Sequence, residues 1–265
     1  MISSGRTSSV PFYVALGLLG GLYVGLVAAL LVADLTYTSP GAVGRALASP
    51  EVRAAVWLTL LSCSASAVLS VWVGVPLGYL LARTRFPGKA VVDLLVDVPI
   101  ALPPLVVGLS LLILFQTPPG LAVQRHLPVT YAVPAVVLAQ FTVAAAFAAR
   151  TMRVTFEQLS PRTEDVAMTL GCSRGRAFWL VTLPEARRGV LAAGTLAWAR
   201  SLGEFGPILV FAGATRMRTE VLSTTVFLEL SVGNLEAALA VSVLMIGVAV
   251  AVLVLTRALG LRGAG

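Results

Sequence analysis

Two charges stand inside a stretch that is otherwise apolar. Arg200 and Glu204 lie four residues apart between Gly189 and Phe211, and a helix puts both on one face. Charges at such depth in a membrane are costly, and are paired or turned toward a cavity. Two roles fit. In one, Arg200 meets a passing dianion while Glu204 tunes or gates it. In the other, the charges form a structural ion pair with a neighbouring span. Ser110, Ser201, Gly203 and Gly206 are further candidates for the lining of a path. Hydroxyls and close backbone approach suit a passing anion, although small residues serve helix packing equally well.

Other chemistries are poorly supplied. His126 is the only histidine and falls in a loop, so a His-rich metal site is not expected. Cys63 falls within a span and Cys172 in a loop on one side, so no disulfide joins them. An intramembrane hydrolase needs a serine with a histidine base, or paired aspartates at depth. Asp93 and Asp97 instead lie at one interface. The only lysine, Lys89, is followed by Ala90, so the phosphate-cradling G-x-x-x-x-G-K-[ST] loop is absent. No catalytic residue, metal or cofactor is expected on this chain.

The elements that position these residues are membrane helices. Hydrophobic residues make up 58% of the chain and charged residues 12%, about half the share found in soluble domains. The 265 residues suit about six crossings, each needing roughly 20 residues. The expected spans are Pro11 to Leu35, Ala54 to Ala82, Val91 to Phe115, Tyr131 to Ala149, Gly189 to Phe211 and Leu235 to Leu259. The first run is longer than a signal peptide's apolar core and is read as a retained helix. Residues 1–265 read as a single all-α integral membrane domain. Most of the 19 Lys and Arg residues fall on one side, including Arg6, the loops around residues 83–89 and 150–188, Arg257 and Arg262. The positive-inside rule makes that side cytoplasmic, with both termini there. The net charge of +7 lies in short loops and offers no soluble basic face, so nucleic acid is not an expected partner.

Proline marks the third span. Pro99, Pro103 and Pro104 remove backbone donors at its start. Broken backbone is tolerated in a membrane where protein or a water-filled cavity receives the freed groups. The span is therefore either a wall of a path or a helix that begins only after Pro104, with Asp97 as an ordinary N-terminal acid. On the outer side, a turn at residues 38–41 precedes a short amphipathic helix over 43–47. The proline-rich loop 116–130 is expected to be irregular.

One cytoplasmic loop is too structured to be a simple connection. Ser160-Pro161 reads as a helix start, with Glu164 and Asp165 in its first turns. Val166, Ala167 and Leu170 are placed on one face by their spacing. Gly171 ends that helix, Ser173 caps a second over 174–181, and Pro184 is expected to stop it. The product is a helix–turn–helix outside the membrane, with a face that needs a partner.

The same loop resembles the signature loop of ABC importer permeases. That family reads Glu-Ala-Ala, three residues, Gly, nine residues, Ile, any residue, Leu-Pro. This chain has Asp165-Val166-Ala167, Gly171 and Val181-Thr182-Leu183-Pro184 at the same spacing. The resemblance covers about residues 54–259. The segments 81–89, 102–108, 199–206 and 233–238 resemble the molybdate/tungstate/sulfate branch, most closely its molybdate members. The outer segment 212–225 departs from the molybdate pattern. The resemblance implies a homodimer in a prokaryotic plasma membrane. It also implies two cytoplasmic ATPase subunits that hold ATP and Mg, and an extracytoplasmic binding protein. It implies that Asp165, Ala167 and Gly171, flanked by Glu164, dock the ATPase. Molybdate or tungstate is the implied cargo and sulfate the alternative. Pro103, Pro104, Arg200 and Glu204 are candidates for the path. A rival of another class is an ion-coupled secondary transporter, for which Glu204 is the main candidate carboxylate.

Overall fold

Serine and proline set where the first helices begin. The computed structural model describes residues 10–262, and among them there are helices and loops but no strand. Arg6 and the two chain ends, expected on the cytoplasmic side, lie outside the described residues. Helix α1 (Val10–Tyr37) is followed by α2 (Pro40–Ala48), the short outer helix predicted over 43–47. The Ser39 hydroxyl accepts from the Ala42 N–H, and Pro40 opens the first turn, where an absent donor is harmless. Ser49 and Pro50 repeat the device at α3 (Pro50–Arg83).

The third expected span is not a straight crossing. It is α4 (Lys89–Ala101) and α5 (Pro104–Gln116), bent by 116° between them. Leu102 and Pro103 are extended at the break, as the residue before a proline prefers. The outer loop expected to be irregular instead contains α6 (Pro118–His126). Its prolines fall in the first turn, where they need no donor. Gln124 Nε2 donates to the Phe115 carbonyl at 2.8 Å and ties the helix back.

Helix α7 (Val133–Gln158) leads to the short helices α8 (Pro161–Thr169), α9 (Arg174–Ala177) and α10 (Leu183–Glu185). The fifth expected span is also broken, into α11 (Arg187–Leu202) and α12 (Gly206–Phe211). At 16 residues α11 is about 24 Å long, short of the roughly 30 Å hydrocarbon core. Pro207 removes a donor just past the break, and residues 203–205 leave the helix. Helices α13 (Leu222–Ser231) and α14 (Leu235–Arg262) complete the order. Four helices, α1, α3, α7 and α14, are long and apolar enough to cross alone, and five if α4–α5 counts as one span. About six spans are expected from the sequence; the third is broken at its prolines, as its sequence suggests, and the fifth is broken at residues 203–205, which the sequence reading did not anticipate.

Small residues bring the central helices together. α3 buries Ser62, Cys63, Ser66, Ala67, Ser70, Gly74 and Gly78 against Ala144, Ala148 and Met152 of α7. A Cβ on Gly78 would come within 2.7 Å of the Arg153 backbone nitrogen, so this close approach needs glycine. α11 packs on both, adding Ala193, Ala197, Trp198 and Leu202. A second cluster joins Val107 and Leu111 of α5 to Val136 and Val143 of α7 and to Ile208 and Phe211 of α12. Helix α1 stands apart. It leans on α14 and buries none of its residues.

Candidate functional site

The two breaks face one another. Pro103, Pro104 and Leu105 at the start of α5 meet Arg200 at the end of α11 and the segment Gly203–Gly206, lining a partly open cavity of about 360 Å³. Residues spread over a hundred positions of sequence are gathered by the packing of α5 on α12. Two glycines make that packing possible. A Cβ on Gly108 would come 2.8 Å from Pro207 Cα, and one on Gly206 would come 3.1 Å from the Leu105 nitrogen. Gly203 has no such constraint and simply borders the space.

Arg200 Nη2 lies 2.8 Å from Glu204 Oε1. The two side chains differ sharply in exposure, at 32% for Arg200 and 1% for Glu204. The guanidinium also sits 5.6 Å above the centroid of the Phe147 ring, within cation–π range. Arg200 therefore presents its charge to the cavity, with the carboxylate behind it. Among the described residues the acidic partner of Arg200 is Glu204 itself, not a group on a neighbouring span. The backbone carbonyl of Glu204 accepts from the Ser223 hydroxyl at 2.7 Å, which fixes the broken segment to α13.

Six of the eight candidate path residues come together here: Pro103, Pro104, Arg200, Gly203, Glu204 and Gly206. Two do not. Ser201 is fully buried and bonds Ser66 Oγ and the Ala197 carbonyl, both at 2.9 Å, so its hydroxyl holds α11 to α3. Ser110 lines a separate space of about 160 Å³ with Pro99, Leu102 and Thr142.

A further charged constellation escaped the sequence reading. On α4, Asp93 and Asp97 meet Arg150 and Arg153 of α7. Arg150 reaches both aspartates, with Nη1 3.0 Å from Asp93, while Arg153 reaches Asp93 and, at 2.8 Å, Glu157. The spacing held the signal: acids four apart on one helix and arginines three apart on another each share a face. Asp97 is thus a cross-helix partner rather than a simple N-terminal acid.

The loop after α7 folds as two short helices round Gly171. Gly171 has φ of +92°, and the Cys172 N–H donates to the Ala167 carbonyl at 3.1 Å to close α8. Nothing lies within 4 Å of a Cβ placed on Gly171, so the constraint there is conformational rather than steric crowding. Beyond Ser173 the chain does not stop at Pro184. α9 runs into a π turn over Phe178–Thr182 and on through α10. In that turn the Leu183 N–H donates to the Phe178 carbonyl, and the wider winding accommodates a proline that has no donor.

The face of α8 also differs from the one expected. Glu164 and Ala167 are buried, whereas Asp165, Val166 and Leu170 are exposed. Glu164 accepts from the Tyr79 hydroxyl of α3 and from Thr182 Oγ1 at 3.2 Å. It pins the loop to the bundle. Tyr79 in turn packs edge-on against Phe178 and Phe156, at 4.8 and 5.5 Å between centroids. The outward face carries Asp165, Val166 and Leu170, and Trp179 and Leu180 are exposed nearby in sequence. The loop is thus fixed to the bundle on one side and leaves apolar residues outward on the other.

Residues 74–262 match the family described as binding-protein-dependent transport system inner membrane component. The chain is 34% identical to the sulfate transport system permease protein CysT of Escherichia coli (strain K12), covering 80% of this chain and 78% of that protein. It is 36% identical to a probable molybdenum ABC transporter permease protein of Haloferax volcanii, covering 84% and 81%. In fold it is similar to a chain of a bacterial alginate ABC transporter crystallised with an alginate pentasaccharide-bound periplasmic protein. The TM-score is 0.76 over 96% of this chain and 95% of that one, at 16% identity.

Proposed function

This chain belongs to the family of binding-protein-dependent transport system inner membrane components, and from that premise we propose that it is the permease of an ATP-driven importer for a tetrahedral oxyanion. The observation that carries the cargo class is the cavity between the two broken segments. A guanidinium faces that space, and its carboxylate is withdrawn behind it. Such a surface attracts an anion without holding it tightly, since the charge is already half satisfied. Molybdate or tungstate is the cargo we favour. Sulfate is the second reading, supported by the likeness to a sulfate permease.

The assembly follows from what one copy leaves open. None of the residues of α1 is buried, and the Arg200 cavity is only partly enclosed. A homodimer answers both, with the cavities of two copies forming one path. Two ATPase subunits dock on the outward face of α8, at Asp165, Val166 and Leu170. Gly171 sets the turn, while Glu164 and Ala167 transmit movement inward to α3 and the π turn. ATP is hydrolysed by those subunits. A binding protein delivers cargo to the outer side.

The test is ATP hydrolysis by the chain reconstituted in liposomes with its ATPase and binding protein, titrated separately with molybdate, tungstate and sulfate. Stimulation by one of these fixes cargo and class together. A stable complex unstimulated by all three retains the importer and discards the oxyanion. Uptake that survives vanadate but collapses with a protonophore transfers the assignment to an ion-coupled carrier.

A further inference from the structure

A furrow runs between α11 and α14 on the outer surface of the bundle. Leu191, Thr195, Ala199, Leu253 and Thr256 line a space of about 470 Å³, and Arg188 and Arg257 stand at its cytoplasmic end. A second hollow of about 400 Å³, walled by Val71, Trp198 and Val252, opens beside it and shares Leu191, Thr195 and Thr256.

The polar groups along the furrow are already satisfied. Thr195 Oγ1 donates to the Leu191 carbonyl at 2.8 Å and Thr256 Oγ1 to the Leu253 carbonyl at 3.0 Å. Trp198 Nε1 donates to Ser64 Oγ at 3.3 Å. The channel therefore offers an apolar wall and suits no polar solute. The arginines are the reverse. Among the described residues neither Arg188 nor Arg257 has an acidic partner. Depth matches as well. From Arg188 to Ala199 a helix rises about 16 Å, which is one leaflet of a roughly 30 Å hydrocarbon core.

The competing occupant is α1 of a second copy, which is long, apolar and unburied. Its only charged residue is Asp34, near its far end, so it brings no carboxylate to two arginines at the cytoplasmic rim. A lipid phosphate does. Basic pockets between membrane helices on the cytoplasmic side bind anionic headgroups in this way. We infer that the furrow holds an anionic phospholipid of the cytoplasmic leaflet, with its phosphate between Arg188 and Arg257 and an acyl chain along Leu191, Thr195 and Leu253. The inference rests on the membrane orientation and not on which cargo is carried.

The experiment is native mass spectrometry of the full chain in complex with its ATPase subunits. The complex is titrated with phosphatidylglycerol and with phosphatidylcholine of the same acyl chains. Selective retention of phosphatidylglycerol is expected, lowered roughly fivefold by Arg188→Gln or Arg257→Gln and about thirtyfold by both. Phosphatidylcholine retention is expected to stay unchanged, and the Arg188→Lys, Arg257→Lys pair to keep most of the selectivity. Equal retention of the two lipids overturns the proposal, as does a double glutamine variant that binds phosphatidylglycerol like the unaltered chain. A disulfide between Leu253→Cys of one copy and Leu22→Cys of another also overturns it, by assigning the furrow to α1. Should the double variant fail to assemble, the two-lipid comparison on the unaltered chain decides alone. Transport plays no part in the readout, so a wrong cargo assignment leaves the result intact.

Discussion

Arg200 with Glu204 and Arg150 with its two aspartates use the same groups to opposite ends. The first pair joins neighbouring turns of one chain segment, with its carboxylate 1% exposed. The second joins α4 to α7, where Arg150, Arg153 and Asp93 are each between 23% and 31% exposed. Glu204 has a single charged partner, whereas Asp93 has two. A buried charge with one partner is intolerant of its loss, while a half-exposed cluster redistributes. The difference separates a buried pair, in which each charge depends on one partner, from a shared clasp that holds two helices.

The largest effect is expected at Arg200. Arg200→Ala leaves the Glu204 carboxylate buried and unpaired, and breaking such a pair costs about 3–5 kcal/mol. Arg200→Glu is expected to abolish transport altogether. Glu204→Gln leaves the arginine facing a cavity that water can enter, so its stability cost is expected to be smaller. Melting temperatures of the purified variants in one detergent test this asymmetry. Equal losses for Arg200→Ala and Glu204→Gln would break the comparison, since both groups would then behave as one structural pair.

Gly171 is next. A residue with a β-carbon at φ of +92° costs about 1–2 kcal/mol locally, and the loop lies outside the bundle core. Gly171→Trp is expected to leave the membrane helices folded, yet to lose ATP-coupled uptake through its misplaced docking face. Normal uptake by this variant with its ATPase would remove the loop from the coupling path. The clasp is weaker still. Arg150→Ala leaves Asp93 paired with Arg153, so its cost is expected to be about 1 kcal/mol or less and to shrink in high salt. A loss as large as that of Arg200→Ala would show the clasp to be as intolerant as the buried pair.

Much of this was legible in the chain itself. The helix start at Ser160-Pro161, the turn at Gly171 and the break at Pro103-Pro104 are local events, written in residues with fixed backbone preferences. The approach of Arg200 to Pro103 was foreseen only as membership of one path, because contact between α5 and α12 depends on Gly108 and Gly206 fitting a partner backbone. The inward turn of Glu164 was not legible. Its partners, Tyr79 and Thr182, lie on elements whose docking no spacing rule specifies. Which of two roles Ser201 takes was not legible for a similar reason: a serine bonding to Ser66 and one lining a path look alike in sequence.

Glu220 offers the smallest and sharpest test of the contrast. It lies on the loop between α12 and α13 and is 3% exposed, with Oε2 unpartnered. Burial pushes its carboxyl above the ordinary range, against a hydrogen bond with Thr225 and the charge of Arg216, which lower it. The folded chain therefore holds this proton more tightly than the unfolded chain does. Its contribution to stability is complete below the unfolded value near pH 4.3 and is lost as pH rises through the raised folded value. Glu220→Gln mimics the protonated form, so it is expected to raise the melting temperature at pH 7 and leave it nearly unchanged at pH 4. Thermal melts of the two proteins at both pH values decide this. A drop at pH 7 would mean that Glu220, like Glu204, is held as a charge by its arginine. Glu220 would then belong with the central pair instead of standing as a buried carboxyl that no cation fully answers.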